Sequence, residues 1–369
     1  MKLYYLAGTA LPTEKAHGLQ IIKTCAALAA QGLSVTLLVP KRGAEDLWSY
    51  YQMPATFEVE WAPFKLAPQL GRLGYWWGAW RFACWAWRKI KQGQPDVILV
   101  RDPLPALVAS WSGRPVFWES HEPKANWLFG LVAKRATGVV AISSGIKNFL
   151  VEHLGVSAEK ISVVPDAADV EVIQALSDDK NLWRQQLNLP LDKKIALYTG
   201  HLYDWKGADT LARAAKLLPA DVLVVLVGGT IEALADFQVR FGATPNLLLA
   251  GHQPASDIPA WLKAADVLVL PNSGKQLISS TFTSPLKLFE YLAAGRAIVA
   301  SDLPSLREIL TEATCFFVVA DDEVALARGI KTALADPALA AIKARETATL
   351  AKNFSWAKRA EHLIKIFAK

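Results

Sequence analysis

Thirteen short apolar runs punctuate this chain, and they constrain its fold more than any other feature. The first half holds KLYYLAG, SVTLLVP, TFEVEWAP, DVILVRD, PVFWESHE, GVVAIS and ISVVP. The second holds KIALYTG, DVLVVLVGG, NLLLAG, DVLVLPN, AIVASD and CFFVVAD. The runs are continuous and rich in β-branched residues, the pattern of strands buried on both faces. Amphipathic stretches such as GLQIIKTCAALAAQG separate them. Strands that alternate with helices build parallel sheets, so the chain reads as α/β. At 369 residues it exceeds the size of one core, and its two series of strands predict two doubly wound domains. The join falls near VVPDAADVEVI, residues 163–173, ahead of polar, helical SDDKNLWRQQLNLPLDKK and a new strand at Ile195.

Other classes are excluded or weakened. With 52% hydrophobic and 20% charged residues the chain can bury sizeable cores and is not disordered. Neither AGTALP nor TGHLYD satisfies G-x-G-x-x-G after a first strand, which counts against a dehydrogenase. The net charge of +6 suits an anionic partner such as a phosphate-bearing small molecule or an acidic membrane, and equally ordinary solubility. Nucleic acid is not expected, because the basic residues are dispersed and no binding module is present. Cys25, Cys84 and Cys315 are distant and odd in number, so neither a disulfide framework nor a zinc site is indicated, and a cytoplasmic setting is expected. The N-terminus reads as a first strand rather than a signal peptide, and no apolar run has the ~18 residues needed to span a bilayer.

The most informative stretch is SPLKLFEYLAAG, residues 284–295. Ser284 suits a helix cap, Pro285 the first helical position and Gly295 the stop. The helix then starts after the carboxyl end of a parallel strand, where open α/β sheets bind ligands. The free N–H groups of Leu286 and Lys287 would offer an anion site there. Glu290 lies too deep to cap the helix. It could accept from vicinal hydroxyls such as those of a ribose, or form a surface pair with Lys287 at i−3.

These residues resemble a known family. TSPLKLFEYLAAGRAIVASDLPSLREIL is similar to the nucleotide-binding motif of retaining GT-B glycosyltransferases of the family-four-like, group 1 kind. The likeness runs in order through most of the chain: Gly18 in LPTEKAHGLQ, His121 in FWESHEP, VVPDAADV, Lys206 in YTGHLYDWKGADTL, and FSWAKRAEHLIKIF near the end. It implies a GT-B fold, two Rossmann-like domains facing a cleft, with an acceptor domain of residues 1–167 plus 356–369 and a donor domain of residues 168–355. It implies metal-independent transfer of a sugar from a nucleotide-sugar donor to a glycan or lipid-linked acceptor, with retention, in cell-envelope polysaccharide synthesis. By the resemblance Glu290 binds ribose, Lys206 holds the diphosphate and His121 contacts the sugar. The donor site would comprise Gly18, Gly200, His201, Lys206, Ser284, Pro285, Leu286, Lys287 and Glu290, with His121 and Lys206 catalytic and Lys275 a further cation. Two family features are replaced: Phe282 stands eight positions before Glu290 where a carboxylate is common, and His201 stands where arginine is usual. An epimerase of the same fold and a non-catalytic sugar-nucleotide binder remain as alternatives.

Three further features have two readings each. His121, beside Glu119 and Glu122, is either a base or hydroxyl-binding group or a histidine paired at a strand end. Arg101 and Asp102 either border the acceptor site or form a local ion pair. RLGYWWGAWRFACWAWRKIK, residues 72–91, carries five tryptophans, five cations and no acid. Its face of Trp76, Trp80, Ala83, Trp87 and Ile90 suits a core, while Trp77, Arg81, Trp85 and Arg88 suit an anionic membrane surface.

Overall fold

The computed structural model describes residues 1–64 and 71–368, with the side chain of Arg72, counted among the cations above, outside the described residues. All thirteen apolar runs form strands. The first seven are β1 (Lys2–Leu6), β2 (Ser34–Pro40), β3 (Glu58–Ala62), β4 (Val97–Val100), β5 (Val116–Ser120), β6 (Gly138–Ala141) and β7 (Ile161–Val163). They form one sheet in the order β3-β2-β1-β4-β5-β6-β7, parallel throughout. The remaining six are β8 (Lys194–Thr199), β9 (Val222–Val227), β10 (Leu247–Gly251), β11 (Val267–Leu270), β12 (Ala297–Ser301) and β13 (Phe316–Val318). They form a second parallel sheet ordered β10-β9-β8-β11-β12-β13.

The chain divides into two compact units, Met1–Asp166 with Trp356–Lys369, and Ala167–Ser355. Within unit 2 the strand residues alternate between two cores. Ile195, Leu197, Val225, Leu268 and Leu270 enter one; Ala196, Tyr198, Val224, Val267 and Val269 enter the other. Both faces of that sheet are therefore covered by helices, which is why its strands read as unbroken apolar runs. In each sheet the strand order reverses once, at β1/β4 and at β8/β11. The carboxyl ends of the strands flanking such a switch are where a crevice opens for ligand.

The C-terminal helix Trp356–Phe367 belongs to unit 1, burying Ala360, Leu363 and Phe367 in its core. Phe367 packs on Phe117 of β5 with ring centroids 5.0 Å apart. The tryptophan-rich segment forms the helix Gly71–Gly93. Its buried row is Gly74, Gly78, Phe82, Ala86 and Ile90, together with Ala83. The face expected in the core is thus corrected: Trp76, Trp80 and Trp87 are 47%, 50% and 36% exposed. Glycine and alanine on the contact row let the helix lie close, and the rings are turned outward.

Candidate functional site

Gly200, His201, Lys206, Lys287 and Glu290 of unit 2 lie around the β8/β11 switch. β8 ends at Thr199, and Gly200 follows with φ +129°, a conformation that favours glycine. Gly228, with φ +118°, makes the same edge tight: a Cβ on it would lie 2.4 Å from the Gly200 carbonyl oxygen. His201 stacks on Tyr203, centroids 5.1 Å apart, and its carbonyl accepts from the Tyr198 hydroxyl at 2.7 Å. Lys206 closes the turn Asp204–Lys206 before Gly207, whose φ of +74° starts the helix Ala208–Ala215. A Cβ on Gly207 would meet the Pro271 carbonyl oxygen at 1.8 Å, so the loop seats on the end of β11 only with glycine there. The Trp205 carbonyl fixes it further, accepting from Ser273 N at 3.0 Å and Ser279 Oγ at 2.9 Å.

The helix of the motif spans Leu286–Ala294 and ends at Gly295 with φ +66°. Its start differs from expectation. Pro285, with ψ 127°, is the cap residue rather than the first helical one, and Ser284 lies outside. The extended ψ turns the chain into the helix one residue later, and Pro285 itself makes no side-chain cap bond. As at any helix start, the amides of Leu286 and Lys287 have no acceptor within the helix itself, which is what makes such an end an anion site. Tyr291 anchors this helix to β8, its hydroxyl accepting from Thr199 N at 2.7 Å.

The charges here are coupled. Burial pushes Lys206 down to about 8, and the carboxylate of Glu290 works the other way. Burial holds Lys287 well below the usual lysine range, the charge of Lys206 adds to this, and Glu290 opposes it. Lys287 is 6% exposed, so it is not half of a solvated surface pair with Glu290; the Tyr198 ring of β8 and the Gly200 loop lie against it. Lys275 sits on an exposed turn instead. Phe282 is buried, closing a π-helical turn, Ile278–Phe282.

In unit 1 a second polar cluster lies at the β1/β4 switch and the end of β5. His121, after β5, has its Nε2 2.9 Å from Arg101 Nη1. The same Nε2 lies 3.4 Å from Glu119 Oε2, so the ring stands between a cation and a carboxylate, and the pairing with Glu119 read from the sequence is present as well. Burial and then Arg101 lower the His121 pKa, against Glu119 and Asp166. Arg101 also donates to Gln20 Oε1 at 2.7 Å, while Asp102 accepts from Gly8 N, so the two are not simply a local pair. Glu119, fully buried, accepts from the Tyr5 hydroxyl at 2.6 Å, Gln20 Nε2 at 3.1 Å and Arg359 Nη2. Its burial would raise its pKa, but His121, Arg359 and Arg101 hold it well below the carboxylate range. Tyr5, Gln20 and Arg359 went unread in the sequence, and Glu119 was read only as a partner for His121; the one available signal was a carboxylate inside the apolar run PVFWES. Gly18 lies in the first turn of the helix Ala16–Ala30 of this unit, where a Cβ would meet Tyr51 Oη at 2.4 Å and Thr13 Cγ2 at 2.5 Å. Among the described residues no helix is long and apolar enough to cross a membrane.

Comparison with known proteins gives two family matches in chain order: "Glycosyltransferase Family 4" over residues 19–172 and "Glycosyl transferases group 1" over residues 193–336. An uncharacterised glycosyltransferase of Methanocaldococcus jannaschii is 27% identical over 65% of this chain and 60% of its own length. The UDP-Gal:alpha-D-GlcNAc-diphosphoundecaprenol alpha-1,3-galactosyltransferase of Escherichia coli is 27% identical over 48% of this chain and 46% of its own. The chain thus spans about half the length of the curated relatives it matches. Among solved structures, Anabaena Alr3699/HepE in complex with UDP aligns over 100% of both chains with a TM-score of 0.78 at 18% identity.

Proposed function

Since the chain belongs to the GT-B glycosyltransferases, matched by family in both halves and by fold along its whole length, we propose that it transfers a sugar from a UDP- or GDP-sugar to a glycan or lipid-linked acceptor. The observation that carries this reading is the convergence of Gly200, Lys206, Lys287, Glu290 and the start of the helix Leu286–Ala294 at the β8/β11 switch. Glu290 would take the ribose hydroxyls. Lys206 and the helix start would take the diphosphate and stabilise the charge that grows on it as it departs. With that positive charge supplied by the protein, the reading calls for no metal. Retention is part of the proposal, with front-face attack and the leaving phosphate assisting deprotonation; the anomeric coupling of the product would read it. His121 and Arg101 of unit 1 would bind acceptor or sugar hydroxyls.

A thermal-shift panel of UDP, GDP and ADP tests the donor class. A ligand at 100 times its dissociation constant should add about 2.7 kcal/mol of stability. Glu290→Ala is expected to weaken the binding nucleotide about 10–100-fold by removing a charged acceptor of two hydroxyls. Unchanged affinity would remove the ribose assignment.

The acceptor side of the proposal includes contact with an anionic membrane. Tyr75, Trp76, Trp77 and Trp80 are 61%, 47%, 56% and 50% exposed on a helix without an acid. Tyr75 lies within reach of the charges of Asp102, Lys124 and Glu122, which places this aromatic end beside the carboxyl ends of β4 and β5. Amphipathic rings among cations are what a headgroup layer accepts. Co-sedimentation with vesicles containing anionic lipid should fall about tenfold or more in Trp77→Ala/Trp80→Ala. Equal sedimentation of variant and parent would rule this surface out. The free thiols Cys25, Cys84 and Cys315 suit a cytoplasmic face.

A further inference from the structure

Lys287 is unlike the other buried cations. Arg184, Lys263 and Arg359 are, like Lys287, less than a tenth exposed. Arg184 donates to the Ala264 and Lys193 carbonyls and to Asp266. Lys263 donates to Asp178. Arg359 donates to Glu119 and the Val164 and Pro165 carbonyls. Lys287 Nζ alone of these four has no hydrogen-bond partner. It lies 3.8 Å from the centre of the Tyr198 ring and would sit 3.8 Å from a Cβ on Gly200. Its other charged neighbours are Lys206, which repels it, and Glu290.

An ammonium buried without an acceptor destabilises a protein, and a tyrosine face offsets only part of that. Two lysines face one carboxylate here, at the start of a helix whose dipole also favours an anion. What would complete all of these groups together is an anion of more than one charge beside the Gly200 loop.

We propose that Lys287 is a second phosphate-binding residue of the donor site, held without a partner in the free protein and matched to the diphosphate of the incoming nucleotide. The proposal rests on the donor-site reading above. It makes Lys287 a specificity residue: the site should favour nucleoside diphosphates over nucleosides through Lys287 as well as through Lys206. It also makes the empty site unstable, because the cation stays uncompensated until ligand arrives.

The test is Lys287→Met, which keeps the stem and removes the charge. Binding of UDP, GDP or ADP, whichever the parent binds, is measured by calorimetry beside the matching nucleoside. The nucleoside diphosphate should weaken about 10–100-fold and the nucleoside less than about twofold. The ligand-free variant should melt higher than the parent, which a merely structural lysine would not produce. Unchanged diphosphate affinity in a folded variant overturns the proposal and leaves the donor reading standing. So does a lower melting temperature with equal losses for nucleoside and diphosphate. A parent that binds no nucleoside diphosphate overturns both.

Discussion

Lys206→Met is expected to lower turnover about 10²–10³-fold, the usual consequence of removing one group aimed at charge that develops in a transition state. Lys206 is placed for this by the turn that Gly207 and the Trp205 carbonyl lock onto the end of β11. The same site gives the variant a second signature. With its pKa near 8, Lys206 of the free protein is charged below that pH and loses its charge as pH rises through it. The parent's kcat/KM should therefore decline above about pH 8, and this limb should vanish in Lys206→Met, whose residual rate has no lysine there to titrate. A parent profile flat to about pH 9.5, or a variant retaining more than about a tenth of parent turnover, would remove Lys206 from the reaction.

Arg359→Met is expected to destabilise unit 1 by about 3–5 kcal/mol, the cost of leaving a buried charge without its partner. Glu119 is 0% exposed and Arg359 3%, and the arginine also fills the carbonyls of Val164 and Pro165. Chemical denaturation of the parent, Arg359→Met, Glu119→Gln and the double variant would form a cycle. The double variant should lose clearly less than the two single losses combined, because a glutamine in place of Glu119 has no charge to be stranded. Acid stability gives an independent reading. The folded-state pKa of Glu119 is depressed, so its contribution is present above the ordinary carboxylate pKa and is lost as pH falls through the folded value. Without Arg359 the folded value rises, and acid unfolding should begin at higher pH. A loss below about 1 kcal/mol with an unmoved acid transition would mean that solvent reaches Glu119.

The fold was legible because burial on both faces writes itself along a strand. Runs such as DVLVVLVGG needed no knowledge of their neighbours to be read, and the same holds for the stop at Gly295. Contacts across the fold were not legible. Spacing alone makes Lys287 the helical neighbour of Glu290 and suggests a surface pair. Only the Tyr198 ring and the bare Gly200, both from β8 and its loop, show that the ammonium is buried. The tryptophan-rich helix was ambiguous for a related reason. Hydrophobicity points the rings inward, whereas close packing against the rest of unit 1 selects Gly74 and Gly78 for the contact row. Pro285 was misplaced by one residue because proline favours both the first helical position and an extended entry, and its ψ decides between them.

The pairing of Glu119 with Arg359 joins residues 240 positions apart, across the whole of unit 2. On the ribosome this sets an order of events. When the first 166 residues have emerged, their sheet lacks its last helix and Glu119 faces a core with no arginine in it. About 190 residues must still be made, roughly 10–40 s at ordinary translation rates. Unit 2, contiguous in sequence, can close its own sheet in that interval. The half made first is therefore finished last, and a nascent chain stalled before residue 356 should carry a folded unit 2 beside an N-terminal sheet still open to proteases and chaperones.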